Sequence, residues 1–228
     1  MTESEWVPDV PAATVVPLRD LPGAGGLEVL MLRKNSRLAF GGMWVFPGGR
    51  VDAEDVLAGE EATTDGPARR AAVREAMEEA ALLLDPATLV PFAHWTPPQD
   101  APRRFVTWFY LAPVVGPVDV VIDMGEIHDH GWLSPADAIA RRDLGEYELA
   151  PPTWMTLRRL GEAGSVAAAL AAARATPIPR YTTQVRLDEG VPTCVWEGDA
   201  AWDGGDLSSP GPRHRLAMDP AGWRAEIS

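Results

Sequence analysis

Short blocks of apolar residues, broken by glycine and proline, organise the first fifty positions. AATVVPLR at 12–19 and LEVLMLR at 27–33 predict strands, joined by the flexible turn LPGAGG. A further short strand is predicted at 44–46, immediately before Pro47, Gly48 and Gly49. The basic stretch RKNSR at 33–37 and the glycines at 41 and 42 mark the connection between these strands as a loop. From Pro67 to Leu84 the period changes to that of a helix, with Asp65 or Gly66 as its cap, Pro67 in its first turn and Asp85-Pro86 beyond it. Ala72, Ala76, Ala80 and Leu83, flanked by Val73, Met77 and Leu84, form its predicted buried stripe.

Strand patterns return at 88–95, 103–112 and 130–133, and helical ones at 135–142 and 153–161. Eight alanines in the thirteen positions 163–175 predict a tightly docked helix. Beyond it, TTQVRL at 182–187, PTCVWEG at 192–198 and RHRLAMD at 213–219 read as short strands among turns. The expected organisation is a main domain over 8–176 and an extension over 177–228 that is too short to form its own core. Val185, Leu187, Val195, Trp196, Leu216 and Met218 must then bury themselves on the main domain, as an intramolecular clasp, or on a second copy of the chain.

Composition narrows the function. The 228 residues are 46% apolar and 23% charged, as in ordinary globular proteins, and they carry a formal net charge of −13. Such a field repels nucleic-acid backbones and anionic membrane surfaces, so neither is an expected partner. A small phosphorylated substrate remains compatible if a divalent metal reverses the local potential. The single cysteine, Cys194, excludes an intrachain disulfide and any cysteine-rich metal centre. Neither a secretory leader pattern nor an 18-residue apolar run is present, which makes the cytoplasm the expected compartment.

The chemistry concentrates in residues 46–83. Glu75, Glu78 and Glu79, three and four apart on one helix, share a side with Arg74 beside them. That pattern is either a solvated helix face or a set of hard oxygen ligands suited to magnesium or manganese. The Pro47-Gly48-Gly49 turn favours the second, since glycine lets backbone approach a metal or phosphate closely.

These residues resemble the Nudix hydrolase signature: Gly, five residues, Glu, seven residues, Arg-Glu, an apolar residue, any residue, Glu-Glu, any residue, Gly and an apolar residue. Gly49 matches the first glycine, Arg74-Glu75 the Arg-Glu pair, Ala76 the apolar site, Glu78-Glu79 the paired glutamates and Leu82 the last apolar position. Asp55 stands for the first glutamate and Ala81 for the closing glycine, so the helix is expected to run through 81 to Leu84. Eighteen residues separate Asp55 from Arg74 where the signature has seven. That interruption is similar to a Nudix subgroup which includes a peroxisomal coenzyme A diphosphatase. The inserted loop is expected either beside the mouth of the site or as a surface excursion.

The resemblance implies a Nudix α/β/α sandwich with a mixed central sheet and a small C-terminal extension. It implies hydrolysis, by water, of the pyrophosphate linkage of a nucleoside diphosphate joined to another moiety: coenzyme A or acyl-CoA, or alternatively ADP-ribose or a nucleotide sugar. A non-catalytic nucleotide-binding module is the other class. Mg2+ or Mn2+ would be held by Glu75, Glu78, Glu79 and the Gly49 carbonyl, with Arg74 orienting the carboxylates. Glu126, in EIHDHGWL, resembles a later family glutamate that serves as base or further ligand. Arg33, Lys34 and Arg37 are candidate phosphate contacts and Trp44 a candidate stacking face. Resemblance to a frequently dimeric family also implies a homodimer.

Overall fold

The computed structural model describes residues 7–21, 23, 25–35 and 40–228. Arg37 lies outside them. The chain forms β1 (Asp9–Asp20), β2 (Leu27–Lys34), β3 (Trp44–Val45), β4 (Gly48–Arg50), α1 (Asp65–Ala80), β5 (Val90–Thr96), β6 (Arg104–Pro113), β7 (Ile127–Leu133) and α2 (Pro135–Asp143). It continues through α3 (Pro151–Leu160), α4 (Val166–Ala175), β8 (Arg180–Thr182), β9 (Gln184–Asp188), β10 (Val191–Val195), β11 (His214–Asp219) and β12 (Gly222–Ile227).

Eight strands make one mixed sheet, in the order β3-β2-β1-β6-β5-β8, with β4 paired to β1 and β7 to β2. The β1–β6 and β5–β8 pairs are parallel. Successive side chains of a strand face opposite sides, and here both sides are covered. Ala13 and Val15 of β1, Leu30 and Leu32 of β2, and Tyr110 and Ala112 of β6 pack against α1. Val16 and Leu18, Val29 and Met31, and Phe109 and Leu111 join the opposite core with residues of α3 and α4. The helix α1 lies close to the sheet because it meets it with Ala68, Ala71, Ala72, Ala76 and Ala80, all fully buried.

The end of α1 corrects the expectation of a helix reaching Leu84. Ala81 takes the left-handed conformation with φ +53°, and its N–H bonds to the Met77 carbonyl. This turn sends Leu82 into the core at 2% exposure and leaves Leu83 at 88%. Met77, on the outer side of the helix, is also exposed. Alanine therefore takes a turn conformation that glycine favours, at a steric cost of about 1 kcal/mol. Ala81→Gly is expected to raise stability by about 0.5–1 kcal/mol, read as a higher urea midpoint at unchanged slope. A lower midpoint would mean that the turn tolerates alanine without strain.

The insertion after Asp55 is stitched to the N-terminal half of α1. Glu60 pairs with Arg70, Arg70 donates to the Asp55 carbonyl at 2.6 Å, and the Trp108 indole donates to the Thr63 carbonyl at 3.2 Å. At 1.5 Å rise per residue, the start of α1 is about 15 Å along its axis from Glu75. The later part of the insertion is thus tethered along the N-terminal half of α1, while its first residues follow Asp55 on the Arg74 side of the cleft.

After α4 the chain returns to the main sheet as β8, and β9 to β12 then form a separate antiparallel sheet in the order β12-β11-β10-β9. Trp196 is fully buried and meets Trp95 and Tyr181 edge-on, while Cys194 and Leu216 belong to the same core. The extension thus buries Val195, Trp196 and Leu216 within its own chain, and a second copy is not required to cover them. Val185 and Leu187 remain exposed on β9. Among the described residues, no helix is long and apolar enough to cross a membrane.

Candidate functional site

Two glycines give β4 its close approach to β1 on one side and to α1 on the other. A β-carbon at Gly48 would meet the Ala13 carbonyl oxygen at 2.5 Å, and one at Gly49 would overlap the Glu75 carboxylate. With hydrogen in those places, Gly48 N–H donates to Glu79 Oε2 at 3.0 Å and Glu75 sits directly over Gly49. The sequence reading singled out the glycine turn but not this N–H, which clamps a catalytic candidate by backbone alone.

Arg74 is shared among several carboxylates, three of them within hydrogen-bond distance. It reaches Glu75 at 2.9 Å, Glu78 at 3.0 Å and Asp55 at 3.0 Å, and it also donates to the Arg50 carbonyl at 2.9 Å. Asp55 is buried and also accepts from the Asp52 N–H at 2.9 Å. The shorter acid at the signature's first acidic position therefore holds the arginine in place. Burial opposes the charge of Arg74, but the surrounding carboxylates outweigh it and raise its pKa.

Lys34 occupies the other side. Because β2 alternates, Lys34 points with Leu30 and Leu32 toward α1, and Arg33 points to the opposite face. The Lys34 ammonium bonds to Glu79 and lies 3.6 Å from Glu126 Oε2. Burial works against the lysine's charge, but Glu79, Glu126 and Glu75 together raise its pKa. Burial likewise pushes the Glu79 carboxyl up to about 7, although Lys34 and the Gly48 N–H favour its ionised form. Glu75 is raised by burial too, against the opposing pull of Arg74.

Sequence-predicted residues thus divide. Glu75, Glu79, Lys34, Arg74 and Gly49 gather in one half-buried cleft, while Glu78 and Glu126 stand at its rim with side chains 57% and 54% exposed. Trp44 corrects the expectation of a stacking face: it is 5% exposed, and its ring lies on Tyr147 at 4.2 Å and 14°. His128 and His130 are exposed on β7.

Among the described residues, no three of the acidic, histidine or cysteine side chains stand in a ready cage for a metal ion, since Arg74 and Lys34 hold the carboxylates. The donor set nevertheless fits a hard divalent cation. Seven carboxylates, Asp52, Glu54, Asp55, Glu75, Glu78, Glu79 and Glu126, lie within ion-pair reach of Arg74 or Lys34, and Asp55, Glu75 and Glu79 are largely buried. Buried carboxylates in such excess favour a further positive charge. The glycine cradle lets a main-chain oxygen join them.

A family model described as the NUDIX domain matches residues 8–153. The chain belongs to the Nudix family. Nudix hydrolases generally use divalent metal ions, in keeping with the donor set. The Caenorhabditis elegans protein named nudix hydrolase 7 is 27% identical over 171 residues, covering 59% of this chain and 56% of that relative. This chain therefore spans little more than half of its length. Among solved structures, a NUDIX hydrolase from Alicyclobacillus acidocaldarius superposes with a TM-score of 0.64 at 22% identity, over 72% of this chain and 96% of that one. The NUDIX domain of Shewanella oneidensis NrtR, solved with ADP ribose, gives a TM-score of 0.51 at 18% identity, over 77% and 94%. Both likenesses concern the fold, a mixed central Nudix sheet between helices. Residues 154–228 lie beyond the segment that the family model matches.

Proposed function

We propose that this Nudix chain is a metal-dependent hydrolase that cleaves the pyrophosphate linkage of a nucleoside diphosphate joined to another moiety. The observation that carries this reading is the cleft in which Glu75 lies over Gly49, Glu79 is held by the Gly48 N–H, and Arg74 fixes Glu75 and Glu78. Glu75, Glu78, Glu79 and the Gly49 carbonyl would hold Mg2+ or Mn2+, and Glu126 a further ion. When bound, such a cation neutralises phosphate charge and increases the acidity of water.

The protein's own groups do the remaining work. Arg74 keeps the carboxylates in register, and Asp55 keeps Arg74 there. Lys34 is one residue's reach from Glu79 and Glu126 and supplies a cation toward a phosphate. Water attacks one phosphorus, the bond from that phosphorus to the bridging oxygen breaks, and a carboxylate of the cleft, Glu75 or Glu126, takes the proton from the water. No covalent enzyme intermediate is needed.

Coenzyme A or an acyl-CoA is the first substrate group to examine, supported by the interrupted signature. ADP-ribose and nucleotide sugars are the second, because they share the linkage. A purely binding module would not need so many carboxylates about one glycine turn. The test is incubation with Mg2+ or Mn2+ and a panel of these compounds and dinucleotides in labelled-oxygen water, with products resolved by mass. Label in one phosphate product is the expected result and identifies the attacked phosphorus. Absence of turnover across the panel, with metal bound, rejects the enzymatic reading.

A further inference from the structure

Strand β9 carries its residues against the usual alternation. In QVRLD the polar Gln184 and Arg186 are half-buried, while the apolar Val185 and Leu187 are 45% and 73% exposed. Residues two apart share a face, and an arginine turned inward where an apolar side chain would pack breaks a rule that proteins break chiefly at functional places. Gln184 and Arg186 line a cavity of about 450 Å³, within the range of small-molecule sites. The loop between β5 and β6 lines it from the main domain with Pro97, Pro98 and Asp100, and the extension supplies Thr182 and Trp202 besides Arg186. Half of this lining lies beyond the segment matched to the family.

The walls are held in place by bonds of their own. Arg104 is buried, pairs with Asp9 at 2.7 Å and donates to the Pro97 and Pro98 carbonyls at 2.9 and 2.7 Å. The Thr183 N–H donates to the Thr96 carbonyl at 2.9 Å, and its hydroxyl accepts from the Trp196 indole at 3.1 Å. Arg104 is thereby fully engaged. Arg186 is not, because its Nε is enclosed without a hydrogen-bond partner and its Nη2 reaches only Gln184 Oε1, at 2.9 Å. Among the described residues no carboxylate pairs with it. A partly desolvated guanidinium without a counterion favours an incoming anion, and its planar fork matches the two oxygens of a carboxylate. A second negative charge would be repelled, since the exposed Asp100 stands on the same wall and the chain carries a net charge of −13.

We infer that this cavity is a binding site for a small organic monocarboxylate, whose charged end meets Arg186 and whose apolar body lies against Trp202, Pro97 and Pro98. None of the cleft's carboxylates, nor Arg74 or Lys34, lines it, so binding here is independent of hydrolysis in the cleft. The occupant touches both the main domain and the extension and therefore stabilises the folded chain by mass action. The probes are butyrate, its neutral isostere butyramide and inorganic phosphate, each titrated without metal into the full chain. Saturation-transfer NMR follows the two organic probes, and the melting temperature follows all three. Butyrate should bind and raise the melting temperature, and butyramide should bind about tenfold more weakly or less. Arg186→Gln should weaken butyrate binding about tenfold or more, yet leave the melting temperature of the unliganded chain within about 2 °C, since the enclosed Nε has no bond to lose. Arg186→Lys should recover only part of the binding, because an ammonium lacks the fork. Asp100→Asn should tighten butyrate about twofold by removing the like charge from the wall. Butyrate bound no better than butyramide, or equally well by Arg186→Gln, overturns the site. Phosphate held through Arg186 in preference to butyrate overturns the assignment to a monocarboxylate. If butyrate does not bind and Arg186→Gln melts well below the wild type, Arg186 is a structural residue and the inference fails.

Discussion

Glu79→Gln is expected to lower turnover by roughly 100-fold or more while leaving a folded protein, because electrostatic stabilisation by a bound metal is lost and side-chain size is not. Glu79 is the most enclosed acid of the cleft, with a side chain 3% exposed, and glutamine can still accept the Gly48 N–H. What it cannot do is balance Lys34 or bind a cation as a charged ligand. Glu78→Gln should fall comparably, although Glu78 stands at the rim, if both are ligands. The two variants therefore separate ligation from structural support. A structural role alone would shift the melting temperature of Glu79→Gln and spare Glu78→Gln. Wild-type turnover in both, measured on the substrate that the panel identifies, would reject the metal assignment. Mn2+ binding followed by electron paramagnetic resonance gives a second readout, and both variants should bind the ion more weakly.

The site was legible to the extent that its parts are local in the chain. Helical spacing alone brought Arg74, Glu75, Glu78 and Glu79 to one side, and the doubled glycine marked the strand that meets them. The direction of Lys34 could also be read, because the alternation in LEVLMLRK sets Lys34 with Leu30 and Leu32 and apart from Arg33. Its partner could not, since Glu79 is 45 residues away. Trp44 shows the converse difficulty. An aromatic beside a glycine-rich loop has the same appearance whether it stacks on a ligand or on Tyr147, and the deciding residue lies over a hundred positions downstream. At Ala81 a local rule failed: alanine prefers helix, yet core burial of Leu82 forces the left-handed turn. Strand β12 was legible but not read: Trp223, Ala225 and Ile227 alternate with Arg224, Glu226 and Ser228 as in a half-buried strand, and the segment pairs with β11.

The least legible feature is also the one on which the extension depends. Arg215 donates to both oxygens of Asp199, at 2.8 and 2.5 Å, and the same carboxylate accepts the His214 N–H at 2.7 Å and the Ala201 N–H at 2.8 Å. The Asp199 side chain has no exposure and Arg215 only 7%. Arg215 also donates to the Leu207 carbonyl at 2.7 Å, so this pair fastens the long loop between β10 and β11. Asp199→Ala should therefore cost about 3–5 kcal/mol, the usual effect of leaving a buried charge without its partner. Burial would raise the carboxyl's pKa, but Arg215 and the two backbone N–H groups outweigh it and hold the group well below the usual carboxylate range. A carboxyl lowered on folding contributes its stability fully above the unfolded value, about 3.9, and loses it as pH falls toward the folded one. Wild type should thus lose stability on acidification below about pH 4, and Asp199→Asn should show less of that loss from a lower starting point. Asp199→Ala combined with Arg215→Met should recover part of the cost, since no charge is then left buried and alone. Urea unfolding at pH 7 and pH 3.5 measures all four proteins. If Asp199→Ala costs less than about 1 kcal/mol, the loop is fastened by Trp196 and its aromatic neighbours instead.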